Sequence, residues 1–403
     1  MKKSVLFLAS FFLVFLLTGD LTSQSIEGSG AHFCSLKKVN GKNSPVLVRG
    51  PNSPKHSFDV LKYTLDIHLM DNYAPPYTHA FEGEVVVRFQ VDSALNSIVL
   101  DADMASLEIK SVGLAGQSYS HVGNLLTVNL GQTYLPGEIA EVSIEYSHLD
   151  VDDGAFYVSD GFVFTDCEPE GARKWFPCWD KPADKAQLEL FASVPPDVRL
   201  GSNGILVDST LAGIALNYHW KSENPIATYL MVITSKKDYN LYIHYWNQPD
   251  GTLVPTRYYY QDESQQFIQD LAEGHDLLND WFVQGYGYYP FEKNGYATLN
   301  GDFPWGGMEN QTLTSLMYQG WYESLIAHEF AHQWFGDMIS PGTWADLWLN
   351  EGFATWSEAF WYESYGGYNA YKNDIVSNAN FYKSANPGWP IYNPAWAEET
   401  PPK

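Results

Sequence analysis

Hydrophobic and polar positions first alternate with a period of two. Tyr63, Leu65, Ile67 and Leu69 are spaced by other residues, as are Val85, Val87, Phe89 and Val91, and then Val142, Ile144 and Tyr146. This period predicts strands with one buried face, and Gly123-Asn124 and Pro136-Gly137 supply turns between them, so the region reads as antiparallel sheet. The pattern persists to the run at residues 229–233, which assigns 50–240 to an N-terminal β domain.

After a last strand-like segment at 242–246 the period changes. Phe267, Leu271, Leu278 and Trp281 follow Ser264 at near-helical offsets. Two further helices are predicted, over 321–335 with a stop at Gly336 and over 348–365 with a stop at Gly366-Gly367. Ser340-Pro341-Gly342 between them is a turn that lets the second helix fold back on the first. Beyond Gly367 the expectation is irregular, aromatic and proline-rich chain. A second domain over 241–403 follows, expected to be incomplete at its C-terminus because Pro401-Pro402-Lys403 closes no element.

Composition narrows the partners. With 48 acidic against 23 basic residues the net charge is −25, a field that repels nucleic acid and anionic membrane surfaces and favours cationic or zwitterionic ligands. Lys2 and Lys3 precede an apolar run at 5–17 that is short for a span of ~30 Å, so residues 1–24 read as a signal peptide, with an uncleaved anchor as the alternative. Export to a periplasmic or extracellular location is expected, with no stable membrane insertion after cleavage. The three cysteines, Cys34, Cys167 and Cys178, allow either one bridge between the last two or two buried thiols.

The chemistry concentrates at His328-Glu329-Phe330-Ala331-His332. Histidines four apart share one helix face and can reach one metal ion, while Glu329, about 100° round the helix, addresses a water beside it. Hydrolytic zinc takes three protein ligands and leaves one position for water, whose pKa it lowers towards ~7. Glu351, with eighteen residues between it and His332, supplies the third ligand from the returning helix. Glu329 is the general base. Glu358, seven residues past Glu351, either orients a ligand histidine through its other ring nitrogen or is an ordinary solvated carboxylate. Asp337 has a weaker claim to the same orienting role.

These residues resemble the aminopeptidase N family of zinc peptidases, the gluzincins. The resemblance rests on the stretch from His328 to Asp337, on Leu349-Asn350-Glu351-Gly352-Phe353-Ala354, and on Gly306-Gly307-Met308-Glu309-Asn310, which is similar to an exopeptidase motif. Thr165-Asp166-Cys167-Glu168 with Arg173, then Phe176-Pro177-Cys178-Trp179-Asp180-Lys181-Pro182, and later Ser202-Asn203-Gly204, complete it.

The resemblance implies a saddle-like β domain followed by a thermolysin-like α+β zinc domain, one zinc ion per chain, and peptides with a free N-terminus as substrates. It implies that Glu168 and Glu309 bind the substrate's α-ammonium group and that the backbone of Gly306, Gly307, Met308 and Asn310 lines the peptide. At 4 Å each carboxylate contact is worth on the order of 4 kcal/mol at an effective dielectric near 20, before desolvation. Both carboxylates are expected in a wet cleft rather than a core. Asn310-Gln311-Thr312 also matches a glycosylation sequon, read here as a false positive. The family's oxyanion-binding tyrosine is expected beyond Lys403, since Tyr365, Tyr368, Tyr371, Tyr382 and Tyr392 lie in other contexts. A thermolysin-like endopeptidase and a non-catalytic zinc- or peptide-binding fragment are the alternatives, the first disfavoured by Glu168 and Glu309.

Overall fold

A computed structural model describes residues 57–113, 118–385 and 391–393, so the signal-peptide segment, Cys34 and residues 50–56 lie outside the described residues. The N-terminal half is built from sheets. The largest runs Ile205–Ala212, Ala215–Lys221, Lys185–Val194, Phe58–His68, Phe81–Val91, Ile139–His148, Leu107–Val112 in spatial order, with Ile226–Ala227 pairing onto the third of these. Phe81–Val91 follows the alternation throughout, with Phe81, Val85, Val87, Phe89 and Val91 all buried. In Phe58–His68 the buried set shifts phase, from Phe58 and Val60 to Tyr63, Leu65 and Ile67, where a register shift falls between Val60 and Lys62. A bulge adds one residue and so moves every later side chain to the other parity.

One expectation needs correction. The sheet is not wholly antiparallel, because Phe58–His68 runs parallel to Lys185–Val194, with Tyr63 opposite Leu188. Well over a hundred residues separate the two strands, and such a connection accommodates the crossover that a parallel pair requires. Two smaller sheets complete the half, one of Leu95–Asp101, Leu125–Tyr134 and Ser118–Val122, the other of Val198–Ser202, Ile233–Lys237, Phe162–Thr165 and Phe156–Ser159. Of the run at 229–233 only Ile233 is strand, because Thr228–Leu230 forms a 3-10 turn.

Strands from Asn240 onwards belong to a fourth, mixed sheet. It is ordered Asn240–Asn247, Leu253–Tyr260, Asn294–Thr298, Thr314–Leu316, Gly307–Met308. Three helices pack beside it. Helix α1 is Gln265–Tyr286, started by the Ser264 hydroxyl, which accepts from the Phe267 N–H. Helix α2 is Glu323–His332, and every residue from Ser324 to His332 is buried. Leu325, Ile326, Ala327, Phe330 and Ala331 hold it in the core, so its polar residues are carried inside with it.

Helix α3 is Leu347–Ala385, longer than predicted. Gly367, at φ 66 and ψ −170, breaks it into two helical stretches at the predicted stop, and helix rather than irregular chain follows. A left-handed glycine commonly stops a helix. Here helix resumes because the next proline is Pro387, leaving 368–385 free of the residue that most strongly opposes it.

Candidate active site

Three ties fix α3 against α2. Glu351 lies beside both histidines, Glu358 Oε1 is 2.9 Å from His328 Nδ1, and the Trp361 indole donates to Glu323 at 2.7 Å. Successive α3 residues therefore meet earlier α2 residues, and the helices run antiparallel.

This pairing brings the three candidate metal ligands together. The Nδ1 of His328 is held by Glu358, and that of His332 lies 3.0 Å from the Phe335 carbonyl. With the Nδ1 positions engaged, the Nε2 atoms face Glu351, 3.5 Å from its Oε2 for His328 and 3.8 Å from its Oε1 for His332. Ligand atoms of His328, His332 and Glu351 all lie within 4.8 Å of one another. Two imidazoles and a carboxylate make a nitrogen–oxygen set suited to zinc, and carboxylate or carbonyl support behind each ring is the usual outer arrangement.

Negative charge crowds this point. Glu168, Glu309 and Glu351 form one cluster within the same 4.8 Å limit, and Glu309, Glu329 and His332 form another. Burial, then the charge of Glu309, pushes the Asp337 carboxyl well above the usual range, and Lys185 opposes the shift. Glu309 Oε1 is buried with no hydrogen-bond partner among the described residues. A buried carboxylate oxygen left in this way is costly unless a cation or donor reaches it.

Several sequence expectations meet their geometry here. Glu358 sits on a ligand histidine, fully buried rather than solvated. Asp337 reaches neither ring nitrogen. Its N–H donates to the His332 carbonyl, its own carbonyl accepts from Lys185, and its buried carboxylate oxygens have no hydrogen-bond partner among the described residues. Glu168 and Glu309 are each only 4% exposed, so they are buried rather than set in the expected wet cleft. The reason lies in the β domain, where Arg173 pairs with Glu170, Asp180 and Asp101. Glu170 also accepts from the Trp344 indole at 3.1 Å, joining this cluster to the turn Trp344–Asp346 ahead of α3. Glu168 is thereby pressed against the helix that carries Glu351.

The segment 306–310 crosses the same point. Gly307–Met308 is the edge strand of the fourth sheet, opposite Leu316 and Ser315. A Cβ on Gly307 would lie 2.2 Å from Glu329 Oε1, so only glycine lets this strand approach the carboxylate. Gly306, at φ 97, turns the chain into the strand. Asn310 is fully buried and accepts from the Ser315 hydroxyl, which leaves no room for a glycan. Cys167 and Cys178 are free thiols, and burial raises both above the ordinary thiol range.

Gln333, Lys293, Asn203 and Lys185 were not singled out from sequence as site residues. Their roles come from contacts between distant segments, for which one sequence carries no signal.

Known proteins give the same frame. The Peptidase M1 N-terminal domain matches residues 60–230, and the Peptidase family M1 domain matches 276–389. The chain is 29% identical over 310 residues to Aminopeptidase M1-B of Oryza sativa subsp. japonica, covering 69% of this chain and 34% of that protein. It is 26% identical over 338 residues to Aminopeptidase N of Oryctolagus cuniculus, covering 70% and 33%. The chain thus spans about a third of the length of these relatives. An M1 zinc metallopeptidase of Deinococcus radiodurans superposes with a TM-score of 0.73 at 22% identity, over 87% of this chain and 80% of that one. A mutant of that enzyme, bound to a Tyr-Ser-Ala substrate, matches with a TM-score of 0.74, also at 22% identity, over 85% of this chain and 80% of its own. With a β-rich half and a helical half each matched in order to the two M1 domains, the chain belongs to the M1 peptidase family, the aminopeptidase N type of gluzincin.

Proposed function

We propose that the protein is a zinc-dependent aminopeptidase that removes N-terminal residues from peptides with a free amine. One observation carries this reading. The ligand cluster of His328, His332 and Glu351 and the carboxylate cluster of Glu168, Glu309 and Glu351 share a residue. A metal position and an ammonium position so close together set the scissile bond one residue from the free end.

One zinc ion per chain, held by His328, His332 and Glu351, supplies Lewis acidity at this point when bound. Glu329 takes the proton of the attacking water and returns it to the leaving amine. Glu168 and Glu309 hold the α-ammonium and fix the register, and the edge strand Gly307–Met308 aligns the peptide backbone. An endopeptidase needs no such carboxylate pair.

The test is a matrix of parent, Glu309→Ala and Glu168→Ala against free and N-acetylated amino-acid anilides. Cleavage of the free-amine substrate should fall on the order of tenfold to a thousandfold with zinc retained, and the acetylated one, poor from the start, should change little. Equal losses on both substrates would count against the reading.

The basic, apolar N-terminal segment supports export, with residues 1–24 removed. Among the described residues no helix is long and apolar enough to cross a membrane. N-terminal sequencing of the exported protein should begin near residues 20–25, and a mature chain starting at Met1 would overturn this. The change of sheet at Asn240 supports dividing the chain into 50–240 and 241–403.

A further inference from the structure

Gln333 follows the ligand His332 directly, is fully buried, and turns its amide towards the segment that carries Glu309. Its Oε1 accepts the Thr312 N–H at 3.0 Å, and its Nε2 donates to the Glu309 carbonyl at 3.3 Å. The two bonds bracket residues 309–312, and both come from a single rigid side-chain plane. The Tyr289 hydroxyl stands 3.2 Å from the same Oε1 and 2.9 Å from the Lys293 carbonyl, so its one proton serves either acceptor.

The segment is held from the other side as well. Thr312 adopts φ 68, a left-handed conformation that a β-branched residue adopts at a cost, and three contacts surround it or its neighbour. The Lys293 ammonium donates to the Thr312 carbonyl at 2.8 Å and to the Ser202 carbonyl at 3.0 Å. The Gly204 N–H donates to the Thr312 hydroxyl at 2.8 Å, and the Asn203 amide to the Gln311 carbonyl at 2.6 Å. The β domain thus supplies Asn203 and Gly204, the position just before strand Asn294–Thr298 supplies Lys293, and the C-cap of helix α2 supplies Gln333. Of these residues, only Gln333 adjoins the helix that also carries the two histidines.

We propose that Gln333 is a positioning residue for the amine-binding carboxylate. It clamps residues 309–312 to helix α2, so that one helix sets both the metal position and the distance from it to Glu309. The proposal rests on the reading of Glu309 as an ammonium anchor. Without the clamp, the β-domain contacts still hold Thr312, but the Glu309 backbone loses its bond to the residue after His332, and the exopeptidase register loosens.

The experiment uses the zinc-loaded 403-residue chain and Gln333→Met, which keeps length and removes both polar atoms. Amide exchange is followed across 306–313, zinc content is measured, and L-leucinamide and N-acetyl-L-leucinamide are titrated calorimetrically with Glu329→Gln added to parent and variant, so that neither ligand is hydrolysed. Exchange of the segment should quicken, and L-leucinamide should bind more weakly, each on the order of tenfold, the size expected for two lost hydrogen bonds. Zinc content and the acetylated ligand should be unchanged. Gln333→Glu, which keeps the acceptor for Thr312 but loses the donor to Glu309, should fall between. If Gln333→Met does not fold, Tyr289→Phe removes one hydroxyl from the same junction and should quicken exchange to a smaller degree. Unchanged exchange and unchanged L-leucinamide affinity in the folded variants would overturn the proposal. If the parent itself binds both ligands alike, the ammonium reading of Glu309 fails, and the exchange measurement still decides the clamp.

Discussion

Glu358 Oε1 lies 2.9 Å from His328 Nδ1, across the α2–α3 interface, with both side chains fully buried. The carboxylate fixes the tautomer and the plane of the ring, so that Nε2 points at Glu351. Glu358→Gln keeps the shape and weakens the charge-assisted bond, and zinc affinity should fall about 10–100-fold. His328→Ala removes a ligand and should abolish stoichiometric binding. Chelator competition on both variants checks this, and equal affinity in Glu358→Gln and parent would contradict the orienting role.

In the proposed reading Glu329 acts on a proton rather than holding metal. Glu329→Gln should keep its zinc while hydrolysis of an amino-acid anilide drops by roughly 10²–10⁴, because an amide cannot accept the water's proton. Metal analysis and turnover on the same sample test both halves. A variant that lost zinc would make Glu329 a ligand instead.

Gly307 faces the same carboxylate. The Cβ of Gly307→Ala would meet Glu329 at Oε1, Cδ and Cγ, at 2.2, 2.4 and 2.7 Å, so strand or side chain must move. Displacing a reacting group by ~1 Å can cost about 10²-fold, so turnover should fall with zinc intact. Added to Glu329→Gln, the substitution should cost little more, since the group it displaces is already disabled. Fully multiplicative losses would show that Gly307 acts elsewhere.

His275 makes folding sensitive to acid. Burial pushes its imidazole down to about 3, against an ordinary value near 6.5, and its Nδ1 lies 3.1 Å from the Tyr258 hydroxyl. Because the folded-state pKa is the lower one, the unfolded chain binds the proton first. The contribution is therefore complete above about pH 6.5 and is lost at about 1.4 kcal/mol per pH unit as pH falls towards 3. Urea unfolding of parent and His275→Leu at pH 7 and pH 4.5 should show a shallower decline in the variant. Identical declines would exclude His275 as the source.

Spacing along the chain alone places His328 and His332 on one helix face with Glu329 beside them, because a helix repeats every 3.6 residues wherever it sits. It determined most buried faces of the strands for the similar reason that alternation is local. The parallel pairing of Tyr63 with Leu188, the burial of Glu168 and Glu309, and the grip of Gln333 on Thr312 were decided only by tertiary structure. Each depends on which distant backbone a side chain meets, and a hydrogen bond made within 3.0 Å leaves no periodic trace along the chain. Asp337 shows the converse. Adjacent to the motif and of the right chemical type, it makes no hydrogen bond to either imidazole.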